Sequence, residues 1–439
     1  MEELTLQQEL ESLRPVLDDT QYGAFLILPL KYDNVPNMDY ICRIARQEDP
    51  DTVDISEPVK AMLSGSDPAA AGTRYRMTGE DFVRELLGQE NALRACRFFV
   101  ENESERYDFA VHSADLYLFH TKVAFLSLGL TCGDISAVKV ICNPGYGDNP
   151  NCRCGFVDEN GGEVLFSLEN LLGNFARRCG LRKIFDGAGS MILESFGYMV
   201  AVLPRRFKLL ETIRHLTFSL HKMMPLDALQ EDVSEDDIRY AYAARDGELA
   251  SYRWGCCVSS QTVSYVVADA QPDIAAEMAV QAQDGVPVAI LALYQKYTCL
   301  RFTELIRQRG ARSRSIYVLK KLMLEFQAYG TITPANLSRW HNVKQIYAHL
   351  LEVNDVAAAI EEIGSKIDIL TEQQRELESA RNSAVLNIIT IFGIVSILAS
   401  VLSIIQILSG GDMTTWIVTI LTTVGIAISI LLALMIQRK

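Results

Sequence analysis

The chain has 439 residues, of which 49% are hydrophobic and 22% charged, and it carries a formal net charge of −14 at pH 7. This composition is ordinary for a soluble protein that carries a small membrane part. The acidic balance excludes a protein that coats nucleic acid, because binding to a duplex requires a net basic surface. We therefore expect no direct nucleic-acid partner.

Strand and helix patterns alternate through residues 1–284. Strands are predicted at Tyr22–Leu30, Asp108–Leu130, Tyr198–Leu203 and Trp254–Ala268, the second of them folded into a hairpin around His120-Thr121-Lys122. Helices are predicted at 1–20, Thr78–Arg97, Ser167–Phe175 and Lys208–His221. Hairpins mixed with helices, rather than strict strand–helix–strand repeats, predict an α+β cytosolic domain.

The chain that follows is helical by its pattern. Residues 285–332 are predicted to form two cytosolic helices, and residues 333–383 one continuous stalk helix, with Thr333 as N-cap and Pro334 in the first turn. Apolar residues recur at alternating steps of three and four between Val353 and Leu377. This spacing is typical of a coiled coil and predicts that the stalk has helical partners.

Two uncharged apolar runs come after the stalk. Residues 384–408 and 416–436 are each long enough to cross a hydrocarbon core of about 30 Å, so they are predicted to be transmembrane helices joined by an outer loop, 409–415. Basic residues lie before the first span and in the tail, 437–439, whereas the loop carries only Asp412. By the positive-inside rule we expect an integral membrane protein with both termini cytoplasmic.

This order of elements resembles the CorA-type cation channel superfamily. The start of the first span, Asn382-Ser383-Ala384-Val385-Leu386-Asn387-Ile388-Ile389-Thr390-Ile391-Phe392, is similar to the Asn…Leu-Thr-Ile start of that family's pore helix. Typical members carry Gly-Met-Asn after the first span, whereas this chain reads Ser409-Gly410-Gly411-Asp412-Met413-Thr414. In layout the chain resembles the divergent branch without the triplet, which includes the CorA-like membrane effectors of type III CRISPR systems.

The resemblance implies a homopentamer in the lipid bilayer of a bacterial inner membrane, with the first span around the axis. It also implies a cytosolic domain that responds to a small nucleotide messenger made from S-adenosylmethionine and ATP. The first hypothesis is therefore a messenger-gated channel in antiviral defence. The alternatives are a divergent divalent metal cation transporter of the magnesium type and a non-conducting scaffold. No nucleophile, base and oxyanion set is visible in the sequence, so no enzymatic activity is expected.

Polar side chains recur along the first span, and they indicate either helix packing through small residues or the lining of a pore. Asn387 and Thr390 are the leading pore candidates, because they lie one turn apart at the cytosolic end, where their oxygens would replace part of an ion's hydration shell. The further pore candidates are Ser396, Ser400, Ser403 and Asp412, the last as a ring at the outer mouth or as a solvated loop residue.

A messenger with phosphate groups requires arginine or lysine clusters, although arginine pairs are also common on solvated surfaces. The densest group is Arg177, Arg178, Arg182 and Lys183, and the second is Arg205 and Arg206. Asp246 and Trp254 are the candidate carboxylate and aromatic for an adenine or methionine moiety. Ser234-Glu235-Asp236-Asp237 is either a divalent cation site or an ordinary capped helix start.

Overall fold

A computed structural model of the chain describes residues 4–48, 55–65, 70–87, 97–102, 105–143, 145, 153–157, 161–185, 190–227, 241–242, 253–269, 271–309, 313–408, 417–418, 421–422, 424–426 and 428. The chain divides into two units. The first unit comprises Met1–Gln308 and Lys321–Ile363, and the second comprises Arg309–Lys320 and Gly364–Lys439.

The described strands all belong to the first unit. They are β1 (Gln21–Lys31), β2 (Arg46–Gln47), β3 (Gly72–Thr78), β4 (Arg97–Asn102), β5 (Glu105–Phe119), β6 (Val123–Cys132), β7 (Arg153–Val157), β8 (Glu163–Phe166), β9 (Arg182–Lys183), β10 (Phe196–Leu203), β11 (Ala241–Tyr242), β12 (Trp254–Val258) and β13 (Thr262–Ala268).

Helices alternate with these strands and then continue alone. They are α1 (Leu6–Leu17), α2 (Met38–Ile44), α3 (Glu57–Ser64), α4 (Gly79–Leu87), α5 (Ile135–Cys142), α6 (Leu168–Arg178), α7 (Leu210–His221), α8 (Ile274–Gln283), α9 (Gly285–Arg309), α10 (Ser313–Glu325), α11 (Pro334–Leu337), α12 (His341–Val353) and α13 (Val356–Leu408). A 3₁₀ turn at Ile192–Glu194 and a π-helical turn at Phe326–Gly330 complete the described elements.

Within the described residues, the strands form one mixed sheet with the order β11-β12-β13-β10-β1-β6-β5-β4-β7-β8. The pair β10–β13 is parallel, and the other described pairs are antiparallel. Strand β3 pairs with β5 and carries β2, and β9 pairs with the end of β1. The predicted α+β domain is confirmed, as is the β5–β6 hairpin, whose turn places Lys122 at a φ of 70°.

Helices cover both faces of the sheet. Alternate side chains of β1, such as Leu26 and Leu28, point into the main apolar core, which α1, α5, α6 and α7 also line. The opposite face of β1 lies against α8, where a Cβ on Gly23 would come 2.5 Å from the sulfur of Met278. A larger residue at position 23 would require the Met278 side chain to move. On the same face the Phe119 ring stacks on Tyr294 of α9, with 3.9 Å between the ring centroids.

One ion pair lies inside the sheet. Arg74 of β3 is 1% exposed, and its guanidinium donates to Asp115 of β5 at 2.9 Å and to the carbonyl of Ala282 at 3.0 Å. Arg76, on the same face of β3, lies 3.6 Å from the second oxygen of Asp115. The Arg74 guanidinium also lies over the Tyr117 ring at 5.7 Å. A buried charge of this kind is tolerated only because it is paired and hydrogen-bonded.

A second set of buried charges connects α9 to the end of β1. The Lys31 ammonium, with no exposed side-chain surface, lies 2.7 Å from Glu304. The same carboxylate pairs with Arg301, whose side chain is 2% exposed. Arg301 in turn lies 2.5 Å from Asp33. Glu304 therefore compensates two buried cations at once.

The predicted continuous helix over residues 333–383 is not found. The chain leaves the helical conformation between α11 and α12 and again between α12 and α13. At the second break Asp355 has a φ of 49°, and the Asn354 side chain donates to the carbonyl one turn earlier at 2.8 Å. The apolar spacing continues across the break, which is why the heptad pattern did not reveal it.

The predicted long apolar helix near the C-terminus is confirmed as α13. Its segment Val356–Ile405 is long and apolar enough to cross a membrane, and it is the one such segment among the described residues. Large apolar side chains on it are exposed, up to 80% for Ile407 and Leu408. Most of the second predicted span, 416–436, lies outside the described residues, so the two-span arrangement stays a prediction.

Candidate functional site

A cavity of about 350 Å³, here called cavity A, lies in the first unit beside β10, β12 and β13. Helices α8, α9 and α12 close its other sides. Its volume is within the range of small-molecule sites, about 300–1,000 Å³. Its polar and aromatic lining includes Arg206, Arg253, Trp254, Tyr265, Glu277 and Asn342.

Two aromatic rings stack along one wall of cavity A. The rings of Trp254 and Tyr265 are nearly parallel, at 16°, with centroids 5.7 Å apart. They come from neighbouring strands, because Tyr265 pairs with Cys256 and Trp254 pairs with Val267 in the register. This diagonal arrangement places both side chains on one face of the sheet, which is the face that α8 covers. A planar ring of a ligand can stack on this aromatic surface.

A hydrogen-bonded chain orients a carboxylate in the same cavity. The Tyr198 hydroxyl donates to the Gln281 oxygen at 2.5 Å, and the Gln281 amide donates to Glu277 at 2.7 Å. Burial raises the pKa of Glu277 above its usual value, and the hydrogen bond from Gln281 only partly opposes this effect. Glu277 is therefore held in one position and takes up a proton more readily than an exposed glutamate.

Both signs of charge line cavity A. Arg206 and Arg253 contribute exposed guanidinium groups, whereas Asp269, Glu277 and Asp284 contribute carboxyl groups. A ligand with only negative charge would meet repulsion from the carboxylates. The lining instead suits a ligand with an anionic part, a cationic part and a planar ring.

Two of the sequence-predicted ligand residues meet in this cavity. Arg206 follows β10 and Trp254 begins β12, and the parallel β10–β13 pair brings their strands close together. The neighbour Arg205 instead donates to the carbonyl of Ser12 at 3.3 Å and does not line the cavity. Asp246 lies outside the described residues.

The first predicted arginine pair does not converge on one ligand. Arg177 donates to Asn174 on its own helix at 2.9 Å, whereas the Arg178 guanidinium lies over the Tyr40 ring at 5.8 Å. Both residues are on α6, and adjacent helical positions point about 100° apart. Arg177 and Arg178 therefore have different surroundings.

Arg182 and Lys183, also predicted to bind ligand, form the short strand β9 beside β1. Arg182 pairs with Asp33, which also contacts the buried Arg301. Partial burial tends to raise the pKa of Asp33, but the hydrogen bonds from Arg301 and Arg182 bring it below its usual value. The Arg182 guanidinium is thus already paired with a carboxylate of the protein itself. Lys183 lines a separate cavity of about 60 Å³, too small for a nucleotide.

The predicted pore residues fall on two faces of α13. At about 100° per residue, Thr390 is about 60° from Asn387, but Ser396 lies on the opposite side. Ser400 and Ser403 are within about 40° of Ser396. The hydroxyls of Thr390, Ser400 and Ser403 each donate to the carbonyl four residues earlier at 2.8 Å. Asp412 lies outside the described residues.

Within the described ranges, no group of three or more His, Cys, Asp or Glu side chains is arranged to hold a metal ion. The acidic candidate Ser234-Glu235-Asp236-Asp237 lies outside those ranges. Sequence reasoning missed Tyr265, Glu277 and Asn342 of cavity A. No short motif marks them, because strand register and helix docking bring them together from separate elements. Comparison with known protein families, curated proteins and solved structures finds no match to this chain.

Proposed function

We propose that the chain is a subunit of an oligomeric membrane channel whose first unit binds a nucleotide messenger. In this proposal the channel has a CorA-like order of elements, opens when the messenger binds, and acts as an antiviral membrane effector of a type III CRISPR system. The subunit number is five, the spans are residues 384–408 of α13 and residues 416–436, and both termini are cytoplasmic.

The observation that carries the proposal is the chemistry of cavity A. A messenger built from S-adenosylmethionine and ATP carries adenine rings, a phosphate and a cationic methionine part. Stacking of a base on an aromatic side chain contributes about 1–3 kcal/mol, which is the role we assign to Trp254. Arg206 and Arg253 hold the phosphate, and Glu277 attracts the cationic part. A site that binds phosphate alone would not require carboxylates in its lining.

The two faces of α13 support different roles in the membrane. Asn387 and Thr390 lie near the cytosolic end of the proposed span, 384–408, and carry an amide and a hydroxyl on one side of α13, which we assign to the pore. Ser396, Ser400 and Ser403 form a small-residue face on the other side, where close helix packing is favourable. Exposed apolar residues cover much of the remaining surface of α13, as expected of a helix in contact with lipid or other helices.

The two neighbouring arginines provide a matched test of messenger binding. Labelled messenger is titrated into the full chain in detergent at fixed ionic strength, with Arg206→Ala and Arg205→Ala as variants. Each charge-assisted contact contributes roughly 1.5–3 kcal/mol, so Arg206→Ala should weaken binding at least about tenfold. Arg205→Ala should leave the affinity unchanged, because Arg205 is bonded to a main-chain carbonyl outside cavity A.

A flux assay in liposomes then connects binding to conductance. Messenger should open the wild-type channel and should require a higher concentration for Arg206→Ala. Equal affinities for wild type and Arg206→Ala would remove cavity A from the proposal. If wild type conducts magnesium but binds no messenger, the alternative function, a divergent magnesium-type transporter, is supported instead.

A further inference from the structure

A second and larger cavity, here called cavity B, lies in the first unit apart from the lining of cavity A. It measures about 740 Å³ and is bounded by the end of α2, the strands β2, β3 and β5, and α4. Four arginines line it, namely Arg43, Arg46, Arg76 and Arg84. Three carboxylates, Glu48, Asp81 and Glu85, line it as well. The arginines of cavity B therefore outnumber its carboxylates, whereas in cavity A the carboxylates outnumber the arginines.

Two of the four arginines are already compensated by carboxylates of the protein. Arg84 lies 3.0 Å from Asp81, one turn earlier on α4. Arg76 lies 3.6 Å from Glu48 and also contacts the buried Asp115. Both guanidinium groups lie at the cavity wall, and each has further N–H groups besides those that face its carboxylate partner.

The other two arginines have no such compensation. Within the described residues, neither Arg43 nor Arg46 forms an ion pair with a carboxylate, and both side chains are exposed. Arg43 lies over the Tyr40 ring at 5.2 Å. A guanidinium that stacks through its face keeps its N–H groups at its edge, where they are free to bind oxygen.

Tyr40 is itself fixed in place. Its hydroxyl donates to Glu85, a lining residue of cavity B, at 3.0 Å. Arg178, the helix residue predicted from sequence to bind phosphate, also lies over the Tyr40 ring. Tyr40 thus lies against Arg43 and holds the Glu85 carboxylate in one position through its hydroxyl.

We propose that cavity B binds the diphosphate group of a small molecule, and that this site is distinct from the messenger site. Two phosphates match the two uncompensated guanidinium groups of Arg43 and Arg46. Arg76 and Arg84 add hydrogen bonds from the wall. Arginine is suited to this task because its planar fork binds phosphate oxygens in pairs. The volume of cavity B accommodates a substituent beyond the diphosphate itself.

Inorganic pyrophosphate is the probe for this site. It is titrated by calorimetry into the full chain in detergent at fixed ionic strength. The double variant Arg43→Gln with Arg46→Gln should weaken binding at least about tenfold, since two charge-assisted contacts are lost. Because both side chains are exposed, the variant should fold as wild type does, which circular dichroism checks.

Two controls make the result specific. Arg153→Gln removes an arginine from β7 that pairs with Glu101 outside cavity B, and it should leave pyrophosphate binding unchanged. Arg206→Ala in cavity A should also leave it unchanged. Orthophosphate should bind at least about tenfold more weakly than pyrophosphate, because it engages only part of the site.

The proposal is overturned if wild type does not bind pyrophosphate, or if the double variant binds it as tightly as wild type. Loss of pyrophosphate binding in Arg206→Ala alone would place the diphosphate in cavity A instead. Equal affinities for orthophosphate and pyrophosphate would show a site for a single phosphate group. None of these outcomes decides whether cavity A binds a messenger, which labelled messenger tests separately.

Discussion

The buried pair in the sheet allows a quantitative prediction. Asp115→Asn keeps the shape of the side chain but removes the negative charge that lies 2.9 Å from Arg74 and 3.6 Å from Arg76. Arg74 is 1% exposed, so its charge would remain in the interior without its carboxylate. Loss of one partner of a buried pair typically costs about 3–5 kcal/mol. At ~1.4 kcal/mol per decade, the unfolding equilibrium constant should rise by roughly two to three decades or more.

Urea unfolding of the full chain in detergent measures this change. Tryptophan fluorescence follows it, because Trp254 and Trp340 both lie in the first unit. The matched control is Asp108→Asn on the same strand, where an exposed carboxylate lies 3.6 Å from Arg106 and contributes at most about 1 kcal/mol. A loss below about 1 kcal/mol for Asp115→Asn, equal to the control, would refute the reasoning.

A double variant tests whether charge or packing dominates at this position. Arg74→Met with Asp115→Leu removes both charges and retains apolar volume, so its stability should be close to that of wild type or above it. Arg74→Met alone should cost less than Asp115→Asn, because the carboxylate keeps Arg76 as a partner. An equal loss of stability in Asp115→Asn, Arg74→Met and the double variant would show that side-chain packing, rather than charge, dominates at this position.

Three further predictions concern function. Asn387→Leu should alter ion flux in liposomes, whereas Ser396→Leu, which places the same apolar side chain on the opposite face of α13, should chiefly affect assembly. The same flux change in both variants would contradict a pore on the Asn387 face. Because burial raises the pKa of Glu277, messenger affinity should fall as the pH is lowered toward that raised value. Glu277→Gln should weaken messenger binding at neutral pH and flatten the dependence of affinity on pH, which a series of titrations at different pH values measures. Mass measurement of the detergent-solubilised protein should give five subunits, and a monomer alone would exclude the channel.

Local features of the fold were predictable from the sequence. The β5–β6 hairpin follows from two apolar strand runs around a short turn, and α6 follows from Ser167 as its N-cap, which accepts a hydrogen bond from the Asn170 amide. The apolar run of α13 was equally clear. In each case the signal lies within one continuous stretch, so period and capping are sufficient to identify it.

The site was less predictable, because it depends on contacts between distant segments. Adjacent arginines looked like a cluster, yet Arg177 and Arg178 diverge on a helix, and Arg205 and Arg206 have different partners. The break at Asp355 left the apolar spacing intact, although Asn354-Asp355 is a pair of poor helix formers that could have indicated it. Cavity B was missed because its arginines come from four separate elements.

The carboxylate of Glu304 has a consequence for how the sequence can change over evolutionary time. It compensates both Lys31 and Arg301, and Arg301 has Asp33 as a second partner. Replacing Lys31 by an apolar residue leaves Glu304 still paired with Arg301, so that step is accessible alone. Replacing Glu304 first takes this carboxylate away from both buried cations at once, and of the two ion pairs of Arg301 only the one with Asp33 is then left. Homologous chains should therefore lose the cations before the carboxylate, and position 304 should be the last of the three to vary.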